Sequence, residues 1–260
     1  MSDARRATGQ GPPGRGSSQA GPARGARAAP ALQASTIEAL LDGAYDGDVT
    51  FRELGEHGDL GLGTFDACDG EMIALEGTFL RAALDGSIHS VQPERRTPFA
   101  VLTFFEPTGH FELADPLDDA GFMQSLDTRL GDLSTAHALR IDGHFDSVRA
   151  RSVPRQHKPY PPMTEVVKNQ HVFELSDIEG TMVGFRFPDY AEGINVPGYH
   201  LHFVTADRTR GGHVLACATR DVTVQVDHEV DLHVEVPAGV ELTSPEATSD
   251  AALRPVERQG

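Results

Sequence analysis

A chain of 260 residues, 39% of them apolar, is long enough to bury a substantial core in one or two domains, and 27 glycines with 17 prolines point to many turns. A formal net charge of −17 repels phosphate backbones and anionic lipid headgroups, so no nucleic-acid and no membrane partner is expected. Cys68 and Cys217 are too few for a disulfide framework or a Cys-rich zinc site, and their apolar surroundings predict buried free thiols in a reducing compartment.

Residues 1–34 are rich in Gly, Pro, Ala and Ser and carry five arginines against Asp3 alone. Such a segment buries too little apolar surface to offset its ordering entropy, and a disordered N-terminal extension is predicted over 1–34. No apolar run is long enough to span a bilayer, and nothing apolar follows the basic start. Neither a membrane span nor a secretory signal is expected, and a cytoplasmic location follows by default.

Order is predicted to begin at Ser35-Thr36, a capping pair with Glu38 behind it, opening a short helix through Ile37, Leu40 and Leu41 that ends at Asp42-Gly43. Strand-like runs follow at Gly61–Cys68, Met72–Phe79, Ser87–Val91 and Phe99–Phe105. Asp69-Gly70 and Asp85-Gly86 are hairpin signals, giving an antiparallel meander. Phe122, Leu126, Leu130 and Leu133 repeat at helical spacing and predict the main helix.

Strands resume at His137–Ile141 and Ser147–Val153, expected to join through Asp142-Gly143, and Lys158–Met163 is expected to be extended. Further strands are predicted at Met182–Phe187, Tyr199–Thr205, His213–Thr219, Val222–Val226 and Leu232–Val236. The fold class is mixed α/β (α+β) dominated by antiparallel strands with few helices, without the βαβ alternation of a doubly wound sheet.

The strongest local signal is Tyr199-His200-Leu201-His202-Phe203, followed at a short interval by Gly211-Gly212-His213. Side chains alternate along a strand, so His200 and His202 share a face while Tyr199, Leu201 and Phe203 take the other. Reading Ala206–Gly212 as a hairpin loop places His213 close to opposite His202. Three imidazoles converging on one sheet face, with a fourth position open, is an arrangement of catalytic zinc, although the same ligands suit other first-row metals. Val204–Asp207 lacks the glutamate that a cupin places after its HxH. Gly61-Leu62-Gly63 precedes an apolar strand rather than a helix, so these glycines read as turns and close packing, not a phosphate cradle.

With those residues in view, the chain resembles the acetolactate decarboxylase family from about Thr36 to Glu257. The resemblance rests on five ordered blocks: 40–65, DGEMIALEG (69–77), TPFAVLTFF (97–105), RSVPRQHKPYPP (151–162) and GINVPGYHLHFVTADRTRGGHVL (193–215). It implies two closely packed halves, a β-rich one over 35–160 with the main helix and another over 161–260 carrying the metal-binding hairpin. It also implies a homodimer, and a Zn2+ held by His200, His202 and His213.

The same resemblance places catalytic roles on Glu71, on Arg151 and on Glu257, with Glu246 as the alternative to Glu257. Strand parity does not separate Arg149 from Arg151; only the RSVPRQ block selects the latter. The implied reaction turns 2-acetolactate into acetoin and carbon dioxide, with metal stabilisation of the enediolate and the substrate's own ketone as electron sink. A zinc hydrolase acting on a small ester or amide, and a non-catalytic metal-binding β module, are the rival readings of the same histidines.

Overall fold

Within residues 30–228 and 230–236, which the computed structural model describes, fourteen strands form three sheets. The chain runs through β1 (Ala31–Ala34), α1 (Ile37–Leu41), β2 (Val49–Thr50), α2 (Phe51–Leu54), β3 (Leu60–Thr64), β4 (Glu71–Leu75), β5 (Thr78–Ala82), β6 (Ile88–Ser90), β7 (Arg96–Thr97), β8 (Ala100–Thr103) and β9 (Gly109–Leu113). It continues with α3 (Asp119–Leu130), β10 (His137–Ser152), α4 (Met163–Val166), β11 (His171–Phe187), β12 (Gly198–Thr205), β13 (Gly211–Asp227) and β14 (Leu232–Glu235).

The first sheet has seven strands in the order β14-β1-β8-β3-β4-β5-β6, antiparallel except for the β1–β14 pair. In the second, β10–β11, β11–β12, β12–β13 and β13–β10 pair into a closed ring, with β9 added along β13. β2 and β7 form a separate small ladder. This is the mixed, largely antiparallel class that the sequence predicts.

Alternation decides what each strand buries. In β4, Met72 and Ala74 pack under α2 with Phe51 and Leu54. Ile73 and Leu75 point the other way, onto Val183 of β11 and Val204 of β12. That contact joins the two sheets face to face. On the far side of the ring, Phe122, Leu126 and Leu130 of α3 pack on Leu201, Phe203 and the apolar face of β13. The helix starts at Asp118, whose carboxylate accepts from Gly121 N at 2.8 Å, and stops at Gly131 with φ 76°. Leu133 lies beyond it.

Several sequence expectations are corrected. Ala31–Ala34 is not disordered but a buried strand between β8 and β14, and pairing on both edges supplies what its weak composition lacks. The rest of that expectation, residues 1–29, lies outside the described residues. Asp142-Gly143 is no turn: β10 runs straight through it, because Gly143 (φ 151°) lets β13 approach so closely that a Cβ would sit 2.3 Å from Asp221 O.

The run Met72–Phe79 is broken at Glu76-Gly77, both at positive φ, into β4 and β5. Gly61–Cys68 stops as a strand at Thr64, and Asp66–Cys68 forms a 3-10 turn. The runs at 213–219 and 222–226 belong to one strand, β13. β2, β7 and β9 carry no clear signal in the sequence, whereas α2 opens on a Thr50–Glu53 capping box. The two sheets do not divide the chain at residue 160, since β9 and β10 belong with the ring and β14 with the seven-stranded sheet.

Candidate metal centre and active site

The same parity that joins the sheets builds the site. Glu71 shares a face with Ile73 and Leu75, so its carboxyl enters the space between the sheets. His200 and His202 share a face with Val204 and meet it from the ring side. Across the hairpin His202 and His213 are direct Cα partners, as the sequence predicts, and His213 is in turn paired with Arg151 of β10.

The three imidazoles, the carboxylate and the guanidinium come together. The ring centroids of the three histidines lie 5.0–5.2 Å apart, and their ligand atoms all fall within 4.8 Å of one another. This is the sole metal-competent group of histidine, cysteine and acidic side chains among the described residues. His202 Nδ1 is 2.7 Å from the carbonyl of Met72, which can only accept, so Nδ1 carries the hydrogen and Nε2 keeps its lone pair. That nitrogen lies 3.3 Å from His213 Nδ1 and 3.7 Å from Glu71 Oε2. Glu71 Oε1 is 3.6 Å from the Arg151 guanidinium.

Burial sets the charge state of the cluster. Desolvation, helped by the Arg151 charge, pulls the His200 imidazole down to about 3. Burial and then neighbouring His200 hold His202 well below its usual range, against the opposing hydrogen bond to Met72. Both rings are neutral near pH 7, the form that binds a metal. The Cys68 thiol is pushed well up by burial and by Glu71, which makes it an inert packing group, and Cys217 is likewise a buried free thiol.

A small, partly open cleft leads to this cluster. Its polar lining is Thr64, Glu71, Arg151 and the three histidines; the rest is apolar, from Ile37, Leu40 and Leu41 of α1 with Phe99, Val153 and Met163. Arg149, which parity alone cannot tell from Arg151, does not line it. A shift of register between Arg149 and Ala150 sets the two arginines in different surroundings. Glu257 and Glu246 lie outside the described residues. The apolar wall was not foreseen: α1 is legible as a helix, but its i, i+3, i+4 face reads as ordinary core until the cleft is seen against it.

A buried trio of imidazoles, two of them neutral, beside a carboxylate and a guanidinium at the end of a small cleft is an enzyme site able to hold a metal ion and to grip a small anion. Comparison with known proteins gives this site its family. The family profile described as alpha-acetolactate decarboxylase matches residues 32–246. An alpha-acetolactate decarboxylase of Methylococcus capsulatus is 49% identical over 206 residues, 79% of each chain. That of Methanosarcina mazei is 44% identical over 206 residues, covering 79% of this chain and 72% of the relative. The crystal structure of the Bacillus subtilis strain 168 enzyme superposes with a TM-score of 0.84 at 37% identity, over 88% of this chain and 99% of that one. The chain belongs to the alpha-acetolactate decarboxylase family, and its activity is that of an acetolactate decarboxylase.

Proposed function

We propose that the chain converts 2-acetolactate (2-hydroxy-2-methyl-3-oxobutanoate) to acetoin and carbon dioxide with Zn2+ held by His200, His202 and His213. The observation that carries this reading is the convergence of three imidazoles, two of them held neutral by burial, beside Glu71 and Arg151. The donor set fits the ion. The 3.3 Å between His202 Nε2 and His213 Nδ1 is the spacing of two ligands on a tetrahedral ion with bonds of about 2.0–2.1 Å. Bound there, zinc supplies positive charge against the substrate oxygens on which negative charge develops.

Arg151 grips the substrate carboxylate and orients its bond to C2; a guanidinium keeps its charge when buried and offers paired donors. As that bond breaks, its electron pair moves into the adjacent ketone and gives an enediolate, so no organic cofactor is required. Glu71, or Glu257 from the C-terminal segment, delivers the proton to carbon that creates the stereocentre of acetoin. The apolar lining excludes water from the carbanionic carbon until that proton arrives. The enzyme works in this reading as a cytoplasmic homodimer with no nucleic-acid or membrane partner, and sedimentation of the purified protein measures the subunit number.

The test is acetoin formation from racemic acetolactate before and after chelation, with zinc added back. Acetoin that disappears with chelator and returns with zinc supports the reading. Acetoin production indifferent to a metal-free state refutes the role of zinc, and esterase activity without gas release would transfer the site to the hydrolases.

A further inference from the structure

The apolar part of the cleft is dominated by one short helix. Ile37, Leu40 and Leu41 occupy a single face of α1 at i, i+3 and i+4, and all three line the cleft. The helix has little freedom to retreat. At its start Ile37 N donates to Ile194 O (3.0 Å) and Glu38 N to Gly193 O (3.3 Å), while Thr36 caps Ala39 N.

Beneath that start lies a fully buried amide pair. Asn195 Nδ2 donates to Gln33 Oε1 at 2.7 Å, and Gln33 Nε2 donates to Ser35 O at 2.8 Å and to Ile194 O at 2.7 Å. At the other end Gly43 lies so close to the Pro161 carbonyl that a Cβ would come within 3.3 Å of it. A wall fixed at both ends cannot expand for a longer ligand, so each added methylene meets hard contact.

Resting on the function proposed above, the polar end of the cleft takes the carboxylate, hydroxyl and ketone, which leaves the alkyl groups of the substrate for the apolar wall. We infer that Ile37, Leu40 and Leu41 pack on those alkyl groups and set their maximum length, making α1 the specificity-determining element for short-chain 2-alkyl-2-hydroxy-3-oxo acids. The buried Gln33–Asn195 pair acts through α1 as a positioning device.

The experiment compares kcat/KM for carbon dioxide release by the zinc-loaded full chain on acetolactate and on its two homologues one methylene longer, 2-ethyl-2-hydroxy-3-oxobutanoate and 2-hydroxy-2-methyl-3-oxopentanoate. The wild type is expected to discriminate against at least one homologue. Leu40→Ala should shift that ratio toward the homologue by about tenfold or more, the scale of one methylene in an apolar pocket. Ile37→Val, which removes one methyl group and disturbs folding least, should shift it in the same direction by less, and decides the matter if Leu40→Ala does not fold. Val166→Ala, in the same core cluster but not lining the cleft, should leave the ratio within about twofold. A wild type that takes both homologues as readily as acetolactate, or wall variants with an unchanged ratio, overturns the inference while the decarboxylase reading stands. No carbon dioxide from any substrate with the wild type overturns that reading, and this inference with it.

Discussion

His202 Nδ1 donates across the sheet interface to the carbonyl of Met72, 2.7 Å away, so a residue of the ring is held by the backbone of the opposite sheet. The bond fixes the tautomer and aims Nε2 at His213 and Glu71. Because Met72 precedes Ile73 and follows Glu71, the strand that orients the histidine also delivers the carboxylate. Replacing His202 with Ala should therefore reduce zinc affinity by more than the roughly 10–100-fold that loss of an outer-shell partner costs. Competition with a chromophoric chelator measures this, and an unchanged affinity would remove His202 from the ligand set.

Acid should destabilise the metal-free protein well above the pH at which its carboxylates titrate. The folded His200 ring has its pKa lowered to about 3 from an ordinary 6.5, and His202 is lowered in the same direction. Below pH 6.5 the unfolded chain takes up protons that the folded rings refuse, so stability is complete above that value and falls as pH drops toward 3. The slope is at most about 1.4 kcal/mol per pH unit for each histidine. Urea unfolding of chelator-treated protein at pH 7, 6 and 5 should show the midpoint falling. A flat profile over that window would mean the rings are solvated rather than buried.

The histidine site was legible because its information is local: an alternating strand, a hairpin and a returning strand fix His200, His202 and His213 within fourteen residues. The meeting of Glu71 with Arg151 was not, since they arrive from different sheets and no short-range pattern records which strands pack face to face. Only the family resemblance carried those two residues. Asp142-Gly143 misled for a related reason. The dipeptide is a turn signal by local chemistry, but here glycine is required by the approach of Asp221 from a distant strand. β1 failed in the opposite direction: Ala31–Ala34 has little strand propensity of its own and is ordered by two neighbours, one of them β14, about two hundred residues later.

The Glu71–Arg151 pair should reveal itself by non-additivity. Both side chains are buried, Arg151 to 4% and Glu71 to 6% exposure, with 3.6 Å between their charged groups. In the metal-free protein Arg151→Met leaves a buried carboxylate without its guanidinium, which should cost roughly 3–5 kcal/mol. Adding Glu71→Gln removes that charge and should recover part of the loss, a coupling that a double-mutant cycle in urea measures directly. Strict additivity would show that the two groups do not sense each other.

Turnover should separate Glu71 from its structural neighbours. Glu71→Gln keeps shape and hydrogen bonding but removes a proton donor, and acetoin formation should fall by about 100-fold or more while zinc is retained. Arg151→Lys should also fail to sustain the reaction, since an ammonium cannot reproduce the paired donors of the guanidinium. Acetoin assays on zinc-loaded variants provide the check. Glu71→Gln with near-native turnover would assign the proton to the C-terminal glutamate instead.

Gly184 does not line the cleft, and it bears on the metal site only through backbone spacing. It lies in β11 opposite Leu201, where the strands approach so closely that a Cβ would sit 2.0 Å from the carbonyl oxygen of His200. Backbone cannot yield as a flexible side chain can, so Gly184→Ala must push β12 away from β11 and carry His200 and His202 with it. Because metal ligation depends on sub-ångström placement, a fold that survives this change should still bind zinc more weakly and lose acetoin formation in proportion. Thr181→Ala on the same strand, where Thr181 Oγ1 donates to Asp142 Oδ1 at 2.7 Å on the half-buried surface, serves as the comparison and should leave metal affinity unchanged. If Gly184→Ala binds zinc as tightly as the wild type, the strand spacing is not what holds the histidines in place.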